Sequence, residues 1–184
     1  MADIIRNETV DLLLSRRTVR SYTEEPLTEA ELATLLECAM WSPSGRNGQP
    51  CHVRVVTEHE ALEEINRDFK DTVGWDTPAY TRWDVNPVYQ TAPALLLIFS
   101  EKDAAMDAGI MVSNIVTAAE SLGLNSVIIG SIGALFDGEK GGKWKAYAGV
   151  PEEYKFMISV AVGHGAENPE PKPRKPENFR VIGK

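Results

Sequence analysis

The order of apolar runs and helical repeats along this chain predicts one layered domain of the α/β type. Short uninterrupted apolar runs at 94–99 and 126–130 read as strands buried on both faces. Around them, apolar residues recur at helical spacing, as at Leu32, Leu35, Leu36 and Ala39. Strand and helix patterns interleave over 184 residues without an internal repeat, a length that suits one domain with its own core.

Asn7 to Leu14 reads as a short capped helix that ends beside a cluster of arginines. Thr28 and Glu31 form a capping box before the helix of Leu32 to Ala39, and Pro43 stops it. Residues 42–50 are rich in Ser, Pro, Gly and Asn and read as a loop. A strand is expected at 52–56. A second capping box, Thr57 to Glu60, should open a helix reaching about Phe69. From 71 to 92 no period survives. Trp75, Tyr80, Trp83 and Tyr89 sit there among Gly, Pro and Asp, and so long an irregular stretch in a compact domain points to a functional segment. After the strand at 94–99, a long helix is expected over 103–122, ended by Gly123. A strand at 126–130, a short helix at 143–148 and a last strand at 155–162 follow. The Pro-rich tail from Glu167 should be extended and reach over another surface.

The formal net charge is −8. That argues against broad nucleic-acid or anionic-membrane binding, which needs extended positive surface. The two cysteines, Cys38 and Cys51, have neither redox nor zinc spacing, and reduced thiols in a cytoplasmic protein are expected. The first residues show no signal-peptide pattern, and the longest apolar run is far too short to span a bilayer. His52, His59 and His164 show no metal spacing.

Against this acidic background two basic clusters stand out. Ser15-Arg16-Arg17-Thr18-Val19-Arg20 holds three arginines and a threonine, and Lys172-Pro173-Arg174 lies near the other end. Guanidinium forks and hydroxyls suit phosphate oxygens, so the clusters could converge on one small anion. Arg16 and Arg17 would also complement a helix C-terminus, and the tail cations would also suit a solvated tail. In the 42–50 loop, Asn47 and Gln49 can each donate and accept, and glycine and serine allow close backbone approach. Two look-alikes fail. Gly163-His164-Gly165 begins like a dinucleotide fingerprint, but position 168 is Asn and no helix follows. Residues 138–143 fall one residue short of P-loop spacing, and Trp144 stands where Ser or Thr belongs. With no evident set of catalytic side chains, a cofactor carrying its own chemistry is expected.

Taken in order, these motifs resemble those of the nitroreductase family of FMN flavoproteins. The carriers are the Ser15–Arg20 cluster with Tyr22, and Ser42-Pro43-Ser44 with Asn47 and Gln49-Pro50. The helix from Asp107 through Asn114 to Leu124 leads into Ile128-Ile129-Gly130, and Lys172 and Arg174 close the series. The resemblance spans about residues 10 to 180. It implies an α+β fold, a three-layer α/β/α arrangement around a central, mostly antiparallel sheet. It implies a homodimer with FMN at the interface, a body over 1–166, and a tail over 167–184 that extends onto the partner and completes the phosphate site.

Carried over by position, Arg16 and Thr18 would hold the phosphate with Lys172 and Arg174. Arg20 would lie near the ribityl chain or the N1/O2 edge of the ring. Pro43, Ser44 and Asn47 would come from the partner, Ile129 and Gly130 would line the ring, and Arg17 and Gln49 complete the cofactor-binding set. Two departures concern the substrate pocket: Cys51 follows the Gln-Pro pair where the family commonly has Trp, and the strand before Gly130 lacks an aromatic residue. Residues 71–92 are the lid candidate, with Trp75, Tyr80 and Trp83 placed to stack on a flat acceptor. The implied function is FMN-dependent oxidoreduction, with hydride taken from NAD(P)H and passed to a small acceptor such as a nitroaromatic or quinone. A flavin-based dehalogenase or dehydrogenase of the same fold, and an FMN-binding protein without turnover, are the alternatives.

Overall fold

The computed structural model describes residues 4–76 and 87–183. Its centre is a four-stranded sheet of β1 (Cys51–Val56), β2 (Ala94–Ser100), β3 (Asn125–Ile129) and β4 (Lys155–Gly163), in the order β1-β2-β4-β3. Every neighbouring pair is antiparallel, with Val53 opposite Ile98, Leu96 opposite Val160 and Val127 opposite Ala161. The architecture is therefore α+β. The interleaved pattern of the sequence, which by itself suggests parallel crossovers, gives way to the antiparallel sheet that the family resemblance implies.

All seven residues of β2 are buried, and alternation along it builds two cores. Leu95, Leu97 and Phe99 point to one face, where they meet α3 (His59–Val73), α5 (Gly133–Asp137) and α6 (Gly141–Tyr147) through Ile65, Phe69, Phe136 and Trp144. Leu96 and Ile98 point to the other, where they meet α2 (Glu29–Met40) and α4 (Ala105–Ser121) through Leu35, Val112, Ile115 and Ala119. A strand buried on both faces needs a continuous apolar run, which is the pattern at 94–99.

Local signals explain most element ends. Asn7 caps α1 (Glu8–Ser15), accepting from the Val10 amide at 2.9 Å. The Thr28–Glu31 capping box is formed. Gly123, at φ +75°, ends α4, and the Leu124 amide returns to the Ala119 carbonyl. The second expected capping box does not form. The helix begins one residue late, so Glu58 takes the cap position without a side-chain bond and Thr57 belongs to the extended segment after β1. The helix also runs on past Phe69 to Val73.

On the α3 side, Asp68 gathers three donors: Lys140 Nζ at 2.7 Å, Lys143 Nζ at 2.8 Å and the buried Trp144 Nε1 at 2.9 Å. Burial alone would raise its pKa, but these hydrogen bonds outweigh it and lower the carboxyl to about 2. The glycines of the rejected P-loop look-alike have a packing reason instead. A Cβ on Gly141 would collide with the backbone of Phe136. No helix among the described residues is long and apolar enough to cross a membrane.

Candidate cofactor site

The segment between α1 and α2 runs beside the outer strand of the sheet. Thr18 bridges Ser126 of β3, and the Val19 amide donates to the Ser126 carbonyl at 3.2 Å. This holds Arg16, Arg17, Thr18 and Arg20 half-buried in a row. Arg16 and Arg17 turn partly inward, giving bonds to the backbone carbonyls of Arg17 and Leu14 at 2.8 Å.

Beyond β4 the chain returns to the same place. The Thr23 amide donates to the His164 carbonyl, and the Ala166 amide donates to Ser21. The tail then passes the arginines. Arg16, Arg17, Thr18, Arg20, Lys172 and Arg174 line one recess of about 130 Å³, together with Pro169 and Glu170. The two basic clusters of the sequence, more than 150 positions apart in the chain, thus form one cation-lined cradle. A chain of net charge −8 gathers five cations around one recess, a charge and donor set that suits an anion.

The 42–50 loop forms a separate recess of about 220 Å³, lined by Pro43, Ser44, Gln49, Cys51, Met40 and Asp107 among others. Ser44 Oγ accepts from the Gln49 amide at 3.0 Å, and Asp107 Oδ1 of α4 accepts from the Gly45 amide at 2.9 Å. Arg46, Asn47 and Gln49 all adopt positive φ, at 55°, 55° and 43°. Three non-glycine residues in that region are costly, and such strain gathers where a loop is shaped for a ligand. Burial and the Asp107 carboxylate raise the Cys51 thiol pKa, so the thiol stays protonated in this recess. Asn47 stands exposed outside the recess lining.

The two recesses share no residue. The predicted set therefore falls into two separate groups. Ile129 ends β3 with its side chain turned inward. Its side chain is only 6% exposed and packs into the core, because alternation on β3 turns Ile128 outward instead. Ile129 can therefore offer a ligand its backbone alone, while Gly130 beside it is exposed. Trp75 is exposed and donates to Asp71 at 3.1 Å, away from both recesses. Tyr80 and Trp83 lie outside the described residues, as does the middle of the 71–92 segment.

Sequence reasoning missed Asp107 and Glu170. Asp107 looks like an ordinary acidic residue in the first turn of a helix, and nothing local shows that it holds the 42–50 loop. A larger cleft of about 800 Å³ lies elsewhere, between Leu27, Leu32, Leu62 and Tyr89. It carries Glu24 and Glu63 and none of the predicted site residues, so it is the wrong sign for phosphate. Among the described residues no His, Cys, Asp or Glu cluster could hold a metal.

A profile of the nitroreductase family matches residues 13–164. The chain belongs to the nitroreductase family. Its fold superposes with a TM-score of 0.89 on the FMN-bound nitroreductase of Desulfitobacterium hafniense, at 26% identity over 97% of this chain and all of that one. The NADPH-flavin oxidoreductase of Vibrio harveyi is 27% identical, covering 95% of this chain and 73% of its own length. The iodotyrosine deiodinase of Thermotoga neapolitana is also 27% identical, covering 94% of this chain and 95% of its own. As a nitroreductase-family member, this chain keeps both halves of the motif set in the expected order, on elements that hold them apart.

Proposed function

We propose that this protein is an FMN-dependent oxidoreductase that uses NAD(P)H to reduce a small acceptor. The observation that carries the reading is the cradle, where Arg16, Arg17, Thr18, Arg20, Lys172 and Arg174 meet around one recess. Its donors fit a phosphate monoester. When bound, FMN would supply the redox chemistry, accepting reducing equivalents from NAD(P)H and giving them to the acceptor. Arg16, Arg17 and Thr18 hold the phosphate with the tail cations. Arg20 lines the same cradle, where its charge would favour an anionic ring edge. Gly130, with no side chain, allows close approach of the ring.

The second half of the site comes from a partner copy. Pro43, Ser44 and Gln49 line the other recess and Asn47 stands exposed beside them on the same loop, so a homodimer brings them to the cofactor. The outer face of α4 supports this reading. Met106 is 81% exposed, Gly109 and Ser113 are exposed beside it, and a Cβ on Gly109 would meet nothing within 4 Å. Small residues along an exposed apolar face suit close helix packing with another chain. A cytoplasmic location fits the two free thiols.

The first experiment is the visible spectrum of freshly purified protein, followed by release and identification of the chromophore. FMN near one per chain supports the reading. Colourless protein that takes up no added FMN refutes it. Rapid mixing with NADH and with NADPH then tests turnover, because an enzyme bleaches its flavin band quickly and a storage protein does not. A dehalogenase is the second reading, favoured by the near full-length likeness to the deiodinase. Parallel assays with a nitroaromatic, a quinone and a halotyrosine separate the two.

A further inference from the structure

The cradle is completed by a tail whose residues 170–183 are all exposed. The segment His164 to Glu167, where the tail begins, is bonded to the body. The Gly165 amide donates to Asn125 Oδ1 at 3.1 Å, the Ala166 amide donates to Ser21, and the Glu167 carboxylate accepts from the Arg20 amide. Gly165 is required for this closeness. A Cβ there would collide with the Asn125 amide oxygen and crowd Val19 Cγ1 at 3.2 Å.

We infer that Glu167 is a positioning residue: its carboxylate, bonded to the Arg20 backbone, fixes the course of the tail so that Lys172 and Arg174 face Arg16 and Thr18. This rests on the phosphate reading above. Glu167 does not touch the ligand in this proposal. It ties the chain to the body five residues short of Lys172. Holding the tail in place before the ligand arrives reduces the ordering cost of binding.

Simple electrostatics makes the opposite prediction. Glu167 is a negative charge beside an anion site, so its removal should improve phosphate binding. The clamp predicts that Glu167→Ala weakens FMN binding about tenfold, and that Glu167→Gln, which keeps an acceptor oxygen for the Arg20 amide, binds FMN at least as well as the parent. The two variants also differ at the tail: trypsin cuts after Arg174 faster in Glu167→Ala and at the parental rate in Glu167→Gln.

The test titrates apo-protein with FMN and with riboflavin, by quenching of flavin fluorescence, for the parent, both variants, Arg174→Ala and the Glu167→Ala/Arg174→Ala pair. Under the proposal riboflavin affinity barely moves. Arg174→Ala then costs about tenfold alone but less than about twofold in the Glu167→Ala background, because the tail is already displaced. Equal or tighter FMN binding by Glu167→Ala overturns the proposal, as does full additivity of the pair. If Glu167→Ala does not fold, Glu167→Gln with Asn125→Ala repeats the comparison at the other tie. Failure of the parent itself to bind FMN would refute the cofactor reading, a result distinct from failure of the clamp.

Discussion

Replacing Asp68 with Asn removes the charge on which Lys140, Lys143 and Trp144 converge. The residue is 8% exposed, so its ionisation is a property of the fold. Its carboxyl is lowered from 3.8 to about 2, which corresponds to about 2 kcal/mol of stability at neutral pH. The sign follows from the direction of the shift. A carboxyl whose folded pKa is depressed contributes fully above its unfolded pKa and loses that contribution as pH falls through the folded one. The window therefore runs from about pH 4 down to about pH 2, with about half of the effect left at pH 3. Asn keeps an oxygen for Trp144 Nε1, whereas Ala leaves that buried donor unpaired, which adds about 1–3 kcal/mol. Equilibrium urea unfolding at fixed protein concentration should give Asp68→Asn a deficit of about 2 kcal/mol at pH 7 that shrinks to about 1 at pH 3. Asp68→Ala should be worse at both. A deficit that stays constant between the two pH values would refute the electrostatic origin, and a deficit below about 0.5 kcal/mol at pH 7 would refute the network's importance.

Arg16→Ala should weaken FMN binding about ten- to a hundredfold, the loss of one charge-assisted phosphate contact, with riboflavin affinity nearly unchanged in the same titration. Gly109→Leu fills open space on α4, so each protomer should fold at least as stably while sedimentation shows a shift from dimer to monomer. A dimer of parental strength would show that the α4 face is not the interface. Ser126→Ala deletes a hydroxyl that is fully buried and has no hydrogen-bond partner among the described residues. It should raise stability by up to about 1 kcal/mol, read as a higher urea midpoint.

What could be read from sequence follows the range of the interaction involved. Asn7, Thr28 and Gly123 act within a few residues of themselves, and the helix ends they predict are the ones observed. The apolar run at 94–99 identifies a strand covered on both faces, but strand direction depends on how connections cross the sheet, and no residue in the run encodes that. The failed box at Thr57 shows the same limit, since a one-residue shift in the helix start moves the cap to Glu58. At the site, the arginine and tail clusters were legible as basic islands in an acidic chain. Their partners were not. Asp107, Asn125 and Glu167 act on backbone amides 62, 40 and 147 positions away, and each looks like an unremarkable polar residue in its own neighbourhood. Which of Ile128 and Ile129 faces the core was not legible either, because the buried parity of β3 is set by the neighbouring strand's register.

The bridge between Thr18 and Ser126 has a consequence for solubility. β3 is the last strand of the sheet, and its outer border, met at Ser126 by Thr18 and Val19, lies next to Ile128, which is 46% exposed. Such a border invites another chain to add a strand. The stretch that carries the arginines lies along this border and covers it with charge, so it shields the sheet as well as lining the cradle. Sequence changes that loosen residues 16–20 would then reveal themselves first as turbidity on concentration or warming, before any loss of helix signal.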